Sequence, residues 1–169
     1  IGKYLVDKLH SLNYELFFFT TSFNKLNFFK NKATGYYWNP SKNIIDLDLL
    51  CKIDYIVNLS GASIAKPWTS SYKRKIFNSR ISTTNFLFNK INSIKSKTQL
   101  KKIVSASAIG IYKDSLTEFY KEKNIQIPDN FIQNLVHEWE KSVEQFNEID
   151  INVCKLRIGL VLMQKSGLL

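Results

Sequence analysis

Acid–base chemistry near neutral pH needs a proton carrier beside a charge that tunes it. A phenol four residues before a lysine would share a helix face with it, and that spacing occurs once in the chain, Tyr4 and Lys8 in YLVDK. As a lone four-residue spacing it reads as chance. Cys51 and Cys154 lie far apart and match no metal-ligand or disulfide pattern, so a reducing compartment is the default. His137, between Val136 and Glu138 on an amphipathic stretch, reads as a helix-surface or interface histidine. The tetrapeptide NLSG (58–61) ends an apolar run in small residues. Small side chains let a flat molecule approach the backbone, and a plain turn would look the same. The strongest charge feature is residues 61–113, which hold eleven Lys and Arg and no Asp or Glu, while the remainder carries 13 basic and 14 acidic residues. A segment of one sign attracts anions. Its readings are a solvated helix face, a phosphate-bearing small ligand, and, behind these, nucleic acid, for which no motif accompanies the charge.

The elements that must position these residues follow from hydrophobic periodicity. The chain has 169 residues and 44% hydrophobic content, enough for one domain with a real core, and a mean hydropathy of −0.18 marks it as globular. No apolar run approaches the roughly 18 residues of a membrane span. Ile1, Tyr4, Leu5, Leu9 and Leu12 recur at helical spacing, and Asn13 suits a helix stop. YELFFFTT (14–21) is a near-continuous apolar run, as expected of a strand buried on both faces. TGYYWNP holds a short strand ended by Pro40, IIDLDLLC (44–51) a short helix, and KIDYIVNLSG (52–61) another strand. A helical stretch over about 69–95 starts at Thr69, with Tyr72, Ile76, Ile91 and Ile94 inward and a break within 79–84. LKKIVSASAIGIY (100–112) reads as a strand, 113–130 as a polar loop, 131–149 as a helix burying Leu135, Trp139, Val143 and Phe146, and 151–163 as a final strand.

Strands alternating with helices predict a doubly wound α/β fold, a parallel sheet covered on both faces. Such sheets bind ligands at the carboxyl ends of their strands, and dinucleotides are the common case. In that setting an acid at the end of the second strand holds a ribose 2′-hydroxyl, and a base there accepts a 2′-phosphate. This chain offers Thr20, Thr21 and Ser22, then Lys25. The opening Ile1-Gly2 reads as the end of a glycine-rich phosphate turn that a preceding strand would supply.

The stretches VNLSGASIAKPWT, SRISTT, VSASAIGIYKDSLTEFY, FIQNLVHEWE and KLRIGLVL resemble, in order and spacing, the YfcH-like or SDR39U1-like epimerase family. This is an atypical group of short-chain dehydrogenases/reductases within the NAD-dependent epimerase/dehydratase superfamily. The resemblance covers essentially the whole chain. It implies a partial Rossmann-like NAD(P)-binding domain over 1–169, without its first strand and without the C-terminal substrate lobe. QKSGLL resembles the family's step into that lobe, and YYWNP its W-D-P element, with Asn39 in place of Asp. Cofactor contacts implied by the resemblance are Gly2, Thr20, Thr21, Leu59, Ser60, Gly61, Lys75, Arg80 and Leu160. The family usually has Arg where Thr21 stands. Ser107 matches the active-site hydroxyl, whose partners elsewhere are a Tyr-x-x-x-Lys pair on the following helix. Ile132 and Val136 occupy those two positions. Tyr4 and Lys8 sit on another element; Tyr112 and Lys113, just past Ser107, are candidate substitutes by their proximity in sequence alone. Arg157 resembles the family's R-T-G element, and as a buried arginine it needs a partner.

The leading expectation is therefore a cytoplasmic NAD(P)-binding epimerase or oxidoreductase acting on an unknown small molecule, with NADP ahead of NAD and no metal. The alternatives are a non-catalytic nucleotide-binding sensor or scaffold, an inactive truncated remnant, and, less favoured, a polyanion binder.

Overall fold

The computed structural model describes residues 1–124 and 127–162. It has five strands and five α-helices among those residues, in the order read from periodicity: α1 (Gly2–Ser11), β1 (Phe17–Thr20), β2 (Thr34–Tyr37), α2 (Leu47–Lys52), β3 (Tyr55–Asn58), α3 (Ser70–Asn78), α4 (Ile81–Ser93), β4 (Lys102–Ala108), α5 (Phe131–Glu144) and β5 (Asn152–Ile158). All pairings of these strands are parallel: helices stand between β3, β4 and β5, as the alternation predicts, whereas β1 and β2 pair in parallel with no α-helix between them. The QKSGLL segment lies outside the described residues.

The chain forms two compact units, 1–52 and 53–169. In the first, β1 pairs with β2 from Phe17 opposite Thr34 to Thr20 opposite Tyr37. Just past the Leu12 C-cap of α1, Asn13 takes a left-handed φ of 62° that asparagine tolerates. Gly35 of β2 is required by close approach, since a Cβ there would stand 2.2 Å from the Leu26 carbonyl oxygen. One expectation needs correction in this unit. β1 is half-buried along its whole length, not buried on both faces. Ile1, Tyr4 and Leu12 of the helical stripe are exposed. The aromatic rings of β1 and β2 pack largely on one another, with Phe19 stacked against Trp38 at 5.5 Å between ring centroids.

In the second unit the strand order is β3-β4-β5. Asn58 lies opposite Ser105, and Ser107 opposite Arg157. The 69–95 stretch does divide, at Ser79 and Arg80, and Thr69 caps α3 by accepting from the Tyr72 N–H at 3.2 Å. Asn130 caps α5 in the same way, through the Gln133 N–H at 3.0 Å. The residues expected inward on the 131–149 helix are inward: Leu135, Trp139 and Val143 of α5 and Phe146 of the 3-10 turn that follows it are all buried. Ile76, Ile91 and Ile94 are buried likewise, and Tyr72 is partly covered. Among the described residues no helix is long and apolar enough to cross a membrane.

Candidate functional site

The side chains of β4 and β5 that share one face build the most ordered polar cluster. Ser105 and Ser107 alternate on β4, and Lys155 and Arg157 lie opposite them on β5. Serine is small enough to leave room for the long basic side chains, and α5 lays Glu140 among them. The Arg157 guanidinium donates to the Glu140 carboxylate from Nε at 2.8 Å and from Nη2 at 2.9 Å, a two-point grip. Lys155 Nζ stands 3.3 Å from the same carboxylate and also pairs with Glu144. Ser107 Oγ–H donates to Glu140 Oε1 at 2.5 Å. Arg157 Nη1 donates to the Tyr112 phenol oxygen at 2.7 Å and to the Glu122 carbonyl at 2.8 Å. The partner that Arg157 required is therefore Glu140. Sequence reading passed over this residue, although a signal was present: it lies four residues after Val136 and three before Val143, on the buried face of α5.

Burial pushes the Glu140 carboxyl up, but the hydrogen bonds from Arg157 and Ser107 and the charge of Lys155 outweigh it and hold the group below the ordinary carboxylate value. The hydrogen bond to Glu140 raises Arg157 in turn, against the cost of its own burial. A carboxyl whose folded value is depressed contributes stability that is complete above its unfolded value of about 4.5 and is lost as pH falls through the lower folded value. Acid unfolding of the wild type should therefore be steeper below about pH 4.5 than that of E140Q, which has no proton to gain at this position. Parallel acid-titration curves for the two proteins would remove Glu140 from the linkage.

Ser107 is buried and its hydroxyl hydrogen is committed to Glu140. Ile132 and Val136 carry no proton: Val136 is buried, while Ile132 is exposed, its Cγ2 2.5 Å from where a Cβ on Gly110 would lie. Tyr112 stacks on Tyr120 at 5.2 Å and lines a cavity of about 250 Å³ with Trp68, Lys73, Gly110, Asp114, Asn130, Phe131 and Ile132.

The expected cofactor residues of this unit follow β3. Asn58 is buried, bonds Thr84 Oγ1 at 3.3 Å, and accepts the Ser60 N–H at 3.1 Å, which fixes the turn through Leu59. Gly61 lies against Arg80: a Cβ there would stand 2.9 Å from the guanidinium and displace it. Arg80 donates to the Ala62 and Ile76 carbonyls and lies over the Trp139 ring at 5.2 Å, and burial lowers its pKa. Gly61 and Arg80 are thus brought together. Lys75 is exposed on α3, and Leu160 is exposed beyond β5. In the first unit Gly2 opens α1, and Thr20 ends β1 with its hydroxyl accepting the Ser22 N–H at 3.2 Å. Thr21 and Lys25 are exposed.

The basic segment does not present one uninterrupted charged face. Lys95, Lys101 and Lys113 pair with Asp150, Asp54 and Asp129, acids outside the segment. Lys73 lies over the Phe131 ring and Lys90 over the Phe86 ring.

No protein-family model matches the chain. Over 117 residues it is 38% identical to an epimerase family protein of Staphylococcus saprophyticus, a match that covers 69% of this chain and 39% of that protein. An epimerase family protein of Staphylococcus epidermidis matches at 34% identity over 117 residues, which is 38% of its length. The chain belongs to the epimerase family. It spans about two-fifths of the length of these curated relatives. Among solved structures, the human epimerase family protein SDR39U1 with NADPH superposes with a TM-score of 0.64 at 23% identity, over 91% of this chain and 56% of that one. UDP-glucuronic acid 4-epimerase from Bacillus cereus, in complex with UDP-glucuronic acid and NAD, superposes with a TM-score of 0.73 at 17% identity, over 93% of this chain and 52% of that one. Both likenesses support the Rossmann-like α/β fold of this epimerase-family chain.

Proposed function

We propose that this epimerase-family chain belongs to an NAD(P)-dependent epimerase or oxidoreductase, its whole length forming part of one dinucleotide-binding domain. The observation that carries the reading is the β3 turn. There Asn58, Ser60 and Gly61 shape a small-residue strand end at the carboxyl edge of a parallel sheet, and Arg80 closes on it. On the second unit the cofactor residues are Leu59, Ser60, Gly61, Arg80, Lys75 and Leu160. On the first they are Gly2, Thr20 and Thr21. A nicotinamide dinucleotide supplies hydride chemistry when bound, while the chain's own residues bind and orient it. NADP is favoured over NAD because residues 20–25 contain hydroxyls and a lysine but no acid to hold a ribose 2′-hydroxyl. The family's relatives with NADPH or NAD bound are consistent with either form. The substrate is an unidentified small molecule.

A second reading, a cofactor-binding sensor without turnover, is favoured by one specific observation. Ser107 is buried with its hydrogen given to Glu140, and no phenol–ammonium pair follows it on α5. Fluorescence titration of the full-length protein with NADPH and NADH separates these readings. Saturable binding is expected for both, with the lower Kd for NADPH. Equal affinities would remove the NADP preference, and no binding of either would end the dinucleotide reading. Binding without hydride transfer to any of a panel of carbonyl compounds would favour the sensor.

A further inference from the structure

The fold places a phenol and a cation together away from the helix that lacks them. Arg157 Nη1 donates to the Tyr112 oxygen at 2.7 Å, and the guanidinium carbon lies 5.3 Å from the centroid of that ring. A guanidinium has donors and no acceptor. It therefore occupies the phenol as an acceptor and leaves the single Tyr112 hydrogen for some other group. Among the described residues no hydrogen bond takes it. Arg157 cannot swing away easily, because Glu140 holds it at two points and the Glu122 carbonyl at a third. Tyr120 stacks on the Tyr112 ring with an interplanar angle of 12°, which restrains the ring itself. The result is a donor of fixed position with positive charge behind its oxygen.

Tyr112 lines the cavity of about 250 Å³ that Trp68 and Phe131 wall with aromatic surface. Lys73 and Asp114 line the same space. Their charges oppose one another, so the cavity does not select strongly for an anion or a cation. We propose that this cavity takes a neutral small molecule bearing a carbonyl oxygen, with the Tyr112 O–H as its hydrogen-bond donor and Arg157 as the residue that positions it. The pair offers the two properties that Ile132 and Val136 cannot, a fixed phenol and a cation behind it. This assignment deepens the dinucleotide reading above and rests on it for any reduction of the bound carbonyl.

The test uses the full-length protein labelled with carbon-13 at the tyrosine ζ position, and cyclohexanone as the probe. The Y112F variant keeps the ring and its stacking, and it identifies the Tyr112 signal as the tyrosine signal that disappears. Cyclohexanone is expected to shift that signal saturably, and Y112F to bind the probe about fivefold more weakly, the loss of one neutral hydrogen bond. R157Q should displace the Tyr112 signal without probe, and R157K, which retains a donor, should displace it less. A Tyr112 signal unmoved by cyclohexanone, or equal probe affinity in Y112F, overturns the assignment. NADPH titration of the same sample keeps the two failures apart. Protein that binds NADPH but not cyclohexanone sinks the Tyr112 site alone, and protein that binds cyclohexanone but not NADPH sinks the dinucleotide reading alone.

Discussion

Replacing Glu140 by alanine is expected to destabilise the protein by about 3–5 kcal/mol, the cost of removing one partner from a buried ion pair. The magnitude follows from what the carboxylate satisfies. It accepts two hydrogen bonds from Arg157 and one from Ser107, with Lys155 at 3.3 Å, and its own side chain is 5% exposed. Arg157 is 13% exposed, so water would reach it poorly once its counter-ion is gone. The loss is not the worth of the pair, since most of it is the penalty for leaving a cation unmatched. Replacing both groups by apolar residues of similar volume, as in E140L with R157M, should therefore cost less than E140A alone. Urea unfolding at constant slope reads both numbers from the shift in midpoint. A loss below about 1 kcal/mol for E140A would show that Arg157 finds water or another acceptor, and that the network does not order this face of the sheet.

Phe146→Ala is expected to cost a similar amount, about 3–5 kcal/mol, by a different route. Phe146 follows directly on α5 and is fully buried, with its ring edge-on to Phe88 of α4 at 5.4 Å between centroids. Alanine loses the transfer energy of the ring and leaves a cavity between two helices that are held by the sheet and cannot close fully. F146L retains most of the volume and should cost less than about 1.5 kcal/mol. Because no charge is involved, the F146A loss should be the same at pH 5 and pH 8. A pH-dependent loss would mean that the substitution disturbs the Glu140 cluster as well.

Much of the architecture was legible without coordinates. The inward set of α5 follows from a 3.6-residue period, and so does the inward set of α3 and α4. Thr69 and Asn130 are short oxygen-bearing side chains placed where a helix needs a cap. Parallel pairing of β3, β4 and β5 followed from helices interposed between apolar runs. In the site, the small residues 58–61 were visible from residue type, and the resemblance to the family is what marked Ile132 and Val136 as the positions where its phenol and ammonium are missing. These features share one cause: each depends on neighbours within a turn or two of backbone, so spacing along the chain reports them directly.

The remainder was settled by tertiary structure. Glu140 meets Arg157 across 17 positions, Ser107 across 33, and Arg157 reaches Tyr112 across 45. Those meetings depend on the register of β4 against β5 and on how α5 lies over them, and no local period encodes either. The same holds for the acid-free segment, which reads as a single positive run but finds Asp54, Asp129 and Asp150 once folded. It holds too for β1, whose apolar run suggested burial on both faces although the described chain covers it only partly. Residue type and period determined which elements form and which sides are apolar. Only docking determined which side chains meet, because a contact between distant residues is a property of the packed elements and not of either stretch by itself.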